Sequence, residues 1–242
     1  MKNRELIIAS IVLAVGVALA GWLAGRGLVE SRLGHRTVVV KGLSERLVNS
    51  DIGFLPIRFS ASGPDLDGAR TQLEKSEASV FNYLKAKGFG PDDREIQNIQ
   101  VKDRFAVHRP DNADANGRFL LTEDIIVRSN DVDRILSAAK GVGELLRSGV
   151  VLTSDRFNTG PSFVFTKLND LKPEMLTEAT ERARQAAEQF AKESGAKVGP
   201  IFKANQGVIT IGPALHIPGE RAQGQIDKKV RVVTTITYFL AE

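Results

Sequence analysis

The side chains able to do chemistry gather in a few places. Nearest to a recognisable site is Asn112-Ala113-Asp114-Ala115-Asn116-Gly117, followed by Glu123. Against a calcium loop, Asn112, Asp114, Asn116, Gly117 and Glu123 take positions 1, 3, 5, 6 and 12, and Phe119 takes the apolar position 8. Oxygen donors at that spacing can wrap a hard cation. Asn112 replaces the expected first Asp, however, and the flanks read as strands instead of helices. A polar hairpin tip is therefore preferred to a metal site built from Asn112, Asp114, Asn116 and Glu123. The three imidazoles, His35, His108 and His216, fall in a connector and two loops without paired zinc-ligand spacing, and read as solvated. Cysteine is absent, which removes thiolate nucleophiles, thiolate metal sites and disulfides.

The common catalytic signatures are missing as well. There is no G-x-S-x-G elbow, phosphate-binding loop or dinucleotide fingerprint, and Gly141-Val142-Gly143 continues a helical period, so it reads as a helix irregularity. Glu178, Glu181 and Glu188 have basic neighbours at helical spacing and form a solvated face, not an acid/base pair. The chain reads as a non-enzyme with no catalytic residue and no cofactor. Its 33 basic against 29 acidic residues leave an excess of +4, and no aromatic platform is interleaved with arginine. Nucleic acid is excluded as a partner on those grounds.

These residues need elements to hold them. Ile96, Ile99, Val101 and Phe105 before the polar run, and Phe119 to Val127 after it, make a hairpin. Upstream, Thr37 to Val40 and Ile52 to Phe59, separated by polar Gly42 to Ser50, read as another hairpin. Pro56 cannot donate to a ladder, which places its strand at an edge or a bulge. Asp65 to Lys87 has helical spacing, with Asp65 or Asp67 at its start and Gly88 as its C-terminal stop. A second helix runs from Asp131 to about Arg147, capped by Asn130. Gly149 to Leu152 and Ser162 to Phe165 are strand-like. Lys172-Pro173-Glu174 opens the longest helix, which runs to about Ser194. Leu176, Ala179, Ala183, Ala186, Ala187, Phe190 and Ala191 give it a narrow face that allows close approach to a sheet or another helix, and that is either buried internally or left for partners to cover. Glu178 with Arg182 and Arg184 with Glu188 are i,i+4 pairs on its other side. Ile201 to Ile211 and Val230 to Leu240 are strand-like, the latter with Val230, Val232, Thr234, Ile236 and Tyr238 in one phase. Gly212 to Lys229 between them is a loop. Hairpins mixed with helices imply α+β, with antiparallel sheets packed with helices.

At the amino end, Leu6 to Ala24 carries no charge and ends near Trp22. At ~1.5 Å of rise per residue it has about the length of a ~30 Å hydrocarbon core, so one N-terminal transmembrane helix is expected. Lys2 and Arg4 precede it, while Arg26, Arg32 and Arg36 follow and blur the charge asymmetry. A signal peptide cleaved near Ala20, after Ala18-Leu19-Ala20, competes with this reading. A retained anchor is preferred because apolar character continues through Ala24. Either way the remainder is exported: a single-pass inner-membrane protein with its soluble domain in the periplasm, or a free periplasmic or secreted one. The organisation is then 1–25 anchor, 26–36 juxtamembrane connector and 37–242 domain.

The ordered pattern resembles the SIMPL family of bacterial envelope proteins. The likeness rests on Val38-Val39-Val40-Lys41-Gly42 with Ser44-Glu45, on Leu84-Lys85-Ala86-Lys87-Gly88, and on Asp131-Val132-Asp133-Arg134-Ile135-Leu136. It rests most on Ala179-Thr180-Glu181-Arg182-Ala183-Arg184-Gln185-Ala186-Ala187-Glu188-Gln189-Phe190-Ala191 with Gly195 and Val198-Gly199. It spans about Thr37 to Leu240, and its motifs are structural. The resemblance implies an exported α+β protein of undefined function, associated with envelope or oxidative stress, that forms homo-oligomers, some ring-like. A tethered chain suits a single ring, because rotation about the membrane normal keeps every anchor in one bilayer. An apolar pocket under the loop Gly212 to Lys229 would instead serve a lipid or small-molecule carrier, ligand unknown.

Overall fold

The computed structural model describes residues 13–26, 36–106, 117–153 and 160–241. In chain order the elements are helix α1 (13–26), β1 (Thr37–Asn49), β2 (Ile52–Gly63), α2 (Leu66–Ala86), β3 (Arg94–Asp103), β4 (Phe119–Ser129), α3 (Val132–Gly141) and α4 (Gly143–Arg147). There follow β5 (Val151–Leu152), β6 (Ser162–Val164), α5 (Leu168–Glu193), β7 (Lys197–Gln206), β8 (Thr210–Pro213) and β9 (Asp227–Ala241). β2 with β4, β5 and β6, β3 with β4, and β7 with β9 pair antiparallel, and helices pack on the sheets, so the α+β class stands. Contacts divide the chain into two compact units. One comprises Met1–Glu45, Lys172–Ile209 and Arg231–Glu242, the other Arg46–Leu171 and Thr210–Val230, so the division falls inside β1, α5 and β9.

In the first unit the strand order is β1-β9-β7, and α5 packs on the sheet through alanines. Ala179, Ala183 and Ala187 are fully buried, Ala183 and Ala187 clustering with Val40, Ile236 and Tyr238. Side chains of one carbon let the helix backbone approach the strand, and Gly42 completes that approach: a Cβ there would lie 1.7 Å from the Ala179 carbonyl oxygen and 2.7 Å from the Ala183 nitrogen. The small-residue face is thus covered inside its own unit, so of the two expectations for it internal burial holds. Phe190, expected on that face, is 62% exposed. The expected pairs Arg182–Glu178 and Arg184–Glu188 form along the helix, and the first of them faces β1 instead of solvent. Glu178 also accepts a 2.7 Å hydrogen bond from the buried Ser44 hydroxyl, and Arg182 donates to the Leu43 carbonyl oxygen at 2.8 Å, tying α5 to β1.

In the second unit the sheet order is β3-β4-β2-β5, with β6 also paired to β2. Alternation places Leu55, Ile57 and Phe59 of β2 beside Leu121, Ile125 and Val127 of β4 in one core, where Leu73, Val80 and Leu84 of α2 and Ile135 of α3 meet them. α2 is capped by Asp65, whose carboxylate accepts from the Gly68 nitrogen at 2.7 Å, and stops before Gly88 at φ +85°. Asp131, not Asn130, caps α3 by accepting from the Arg134 nitrogen at 3.0 Å. The single helix expected to Arg147 breaks at Val142. Next to that break, the Tyr83 hydroxyl donates to the Ala138 carbonyl oxygen at 2.5 Å, and a Cβ on Gly141 would stand 2.7 Å from the same hydroxyl.

Three further expectations change. β1 and β2 are not a hairpin: β1 runs on through the polar stretch to Asn49 and pairs with β9, while β2 pairs with β4. The reason is that alternation persists across the polar residues, with Ser44 fully buried. Pro56 sits in an interior strand opposite Ile126, yet β6 pairs with β2 at Ile52 to Phe54 and β5 at Phe59 and Ser60, so Pro56 falls in the gap between them. α5 begins at Leu168, placing Pro173 inside the helix, where it forfeits one backbone hydrogen bond near the start. At the amino end, residues 13–26 are helical, the earlier part of the Leu6 to Ala24 run lies outside the described residues, and no helix among the described residues is long and apolar enough to cross a membrane.

Candidate functional site

The Gly212 to Lys229 segment is anchored at several points. The Ala214 nitrogen donates to the Asp227 carbonyl oxygen at 3.1 Å, and Ser50 donates to the Ile226 carbonyl oxygen through its nitrogen at 2.9 Å and its hydroxyl at 2.8 Å. Gln225 holds the Glu220 carboxylate at 2.9 Å, and Gly219 turns the chain at φ +84°. β9 opens at the end of this segment. Lys228 has the parity of Val230, Val232 and Thr234, so its side chain points the same way as theirs and is only 5% exposed.

Lys228 lines a cavity of about 300 Å³ with Phe163 and Phe165, Ile211 and Pro213, and with Ala222 and Gln223 of a short 3-10 turn. Its Nζ donates to the Ala222 carbonyl oxygen at 2.9 Å, and no carboxylate among the described residues pairs with it. Burial holds this ammonium below the usual lysine range. A poorly solvated ammonium with N–H groups left over, facing apolar walls, favours an anion that brings its own apolar body. The inward phase expected from the sequence begins at Val230. The signal for the site was one step earlier, since a lysine at that parity must either be buried or end the strand.

Of the proposed calcium ligands, Asn112, Asp114 and Asn116 lie outside the described residues, as do His35 and His108, while His216 is exposed. Glu123 is a core residue of β4, 2% exposed, opposite Phe59 on one side and Ile99 on the other. Its Oε1 has no hydrogen-bond partner. Burial, with the Glu77 carboxylate adding to it, pushes its carboxyl up to about 7. The neck of the hairpin is closed by Arg118, which grips Asp103 at 2.9 Å and holds that carboxyl below its usual range. No group of three or more metal-ligating side chains forms among the described residues.

Residues 38–237 match the SIMPL family, described as protein of unknown function (DUF541). The chain belongs to the SIMPL family. In this SIMPL chain the matching motifs have structural work: Gly42 admits the α5 backbone, Ser44 binds Glu178, Gly88 ends α2 and Asp131 caps α3. Among solved structures, an uncharacterized conserved protein from Listeria innocua is 16% identical over 78% of this chain and 91% of its own, with a TM-score of 0.19. A hydrolase from Listeria innocua is 14% identical over 78% of this chain and 90% of its own, with a TM-score of 0.18. At these scores neither likeness bears on this SIMPL chain's activity. No curated protein matches.

Proposed function

We propose that this SIMPL chain is a non-enzymatic protein of the bacterial envelope, tethered to the inner membrane by Leu6 to Ala24, whose periplasmic domain assembles with further copies of itself. One observation carries the assembly: β3, at the edge of its sheet, turns Ile96, Ile99 and Val101 to solvent at 44%, 54% and 57% exposure, although their β4 partners Ile125, Glu123 and Leu121 are buried. An apolar strip beside an unpaired strand edge is a surface that another strand covers. The uncharged run supports the tether, and the missing catalytic signatures support a non-enzymatic role in envelope or oxidative stress. Light scattering on the full-length protein in mild detergent tests the assembly, and a monomeric mass refutes it. A reporter fused after Glu242 that works only in the cytoplasm refutes the topology. An intact mass lacking residues through Ala20 replaces the anchor with a cleaved signal peptide.

The Lys228 cavity favours a second reading, a periplasmic carrier of a small apolar anion. Mass spectrometry of material extracted from gently purified protein is expected to reveal a stoichiometric anionic species that Lys228→Met loses. A clean extract from the unaltered chain counts against the carrier.

A further inference from the structure

We propose that β3 is the seam of a two-fold dimer, pairing antiparallel with β3 of a second copy about an axis through Ile99. The inference rests on the self-assembly reading and specifies its contact. β3 pairs only with β4 among the described residues, and Glu95 to Lys102 are all exposed, so a long ladder edge is open to another strand.

Register with β4 assigns each β3 side chain a face. Ile96, Ile99 and Val101 lie on the face of Ile125, Glu123 and Leu121, whereas Glu95, Asn98, Gln100 and Lys102 lie on the face of Ile126, Asp124, Thr122 and Leu120. The register shifts between Ile96 and Asn98, leaving Gln97 as an extra residue. Antiparallel pairing joins residues that share a face. When β3 is laid against a rotated copy of itself, with Gln97 bulged out of both strands, Ile99 meets Ile99. Ile96 then meets Val101, Asn98 meets Gln100 and Glu95 meets Lys102.

Every such pair shares a face, the apolar residues meet apolar residues, and two opposite-charge pairs flank the axis. Without the bulge, an axis through Ile99 would set Ile96 against Lys102 and Glu95 against Asp103 and break the faces. Moving the axis to Val101 sets Ile99 against Asp103, to Gln100 sets Ile96 against Asp103, and to Asn98 sets Arg94 against Val101, so the axis through Ile99 matches residue types best. At the ends Arg94 meets Asp103, but each already has a partner in its own chain: Arg94 lies 3.7 Å from the centre of the Phe81 ring and Asp103 binds Arg118. Glu95 and Lys102 therefore carry the charge recognition. With its axis along the membrane normal, the dimer keeps both Leu6 to Ala24 runs in one bilayer.

The chain has no cysteine, so one introduced thiol reports one position. Paired strand residues sit ~4.5–5.5 Å apart at Cα, within disulfide reach. In full-length protein in mild detergent, Ile99→Cys is expected to oxidise to a covalent dimer, while Lys102→Cys does so only when mixed with Glu95→Cys. Glu95→Lys and Lys102→Glu each bring like charges together twice and weaken the dimer roughly tenfold, and combining them in one chain restores it. All these positions are exposed, and unchanged circular dichroism checks the fold. An oligomer that persists through both charge reversals and does not cross-link at residue 99 overturns this seam and leaves self-assembly standing. A monomer in every preparation overturns both.

Discussion

Replacing Glu123 with glutamine should remove a pH dependence of stability that a single buried carboxyl imposes. The side chain is 2% exposed, its Oε1 is unpaired, and burial with the nearby Glu77 raises its carboxyl from 4.5 to about 7. Below pH 4.5 the group is protonated in both the folded and the unfolded chain, and costs nothing extra. Between pH 4.5 and about 7 the unfolded chain releases a proton that the folded chain keeps, so stability falls as pH rises. Above about 7 the folded chain must ionise too and the full cost is present. At about 1.4 kcal/mol for each pH unit, that rise amounts to about 3 kcal/mol, a large fraction of a small unit's stability. Glu123→Gln keeps the shape and removes the charge, so its gain over the unaltered chain should be near zero at pH 4.5 and about 3 kcal/mol at pH 8. Urea unfolding followed by circular dichroism measures it. The one tryptophan, Trp22, lies in the apolar run and reports nothing of this core. Stability curves for the two proteins that stay parallel from pH 4.5 to 8, or a Glu123 side-chain NMR titration centred near 4.5, would refute the reasoning.

Gly42→Ala places a methyl 1.7 Å from the Ala179 carbonyl oxygen and should cost ~3 kcal/mol or prevent folding of the first unit, whereas Gly143→Ala, with nothing within 4 Å, should leave thermal melting unchanged or slightly raised. Asp65→Ala removes the acceptor for the Gly68 nitrogen at the start of α2 and should destabilise by about 1 kcal/mol in urea unfolding, with Asp65→Asn retaining most of the stability. Calorimetric titration with millimolar calcium should give no binding heat, because Glu123 is committed to the core; a heat abolished by Glu123→Gln would reverse that assignment.

Local patterns in the sequence determined the elements. Period 2 in Val230 to Tyr238, helical spacing from Asp65 to Lys87, the cap at Asp65 and the stop at Gly88 are encoded within one turn or one strand and survive in the structure, because capping and alternation need no distant partner, whereas the cap expected at Asn130 falls one residue later at Asp131. The family was legible for the same reason, its motifs being local devices such as Gly42 and the alanine stripe. Strand pairing was not legible. Adjacent strands β1 and β2 were read as a hairpin, yet β1 joins β9 from the far end of the chain, and only side chains brought together across that distance choose between the two. Burial of polar groups was hidden likewise. Glu123 read as a residue of a returning strand, with a ligand's role only in the disfavoured calcium loop, and Lys228 as part of a loop, because a charged residue in an alternating strand reads as outward until a packed layer on its own side turns it inward. The tertiary structure decided which polar residues lost their water, and with them the candidate site.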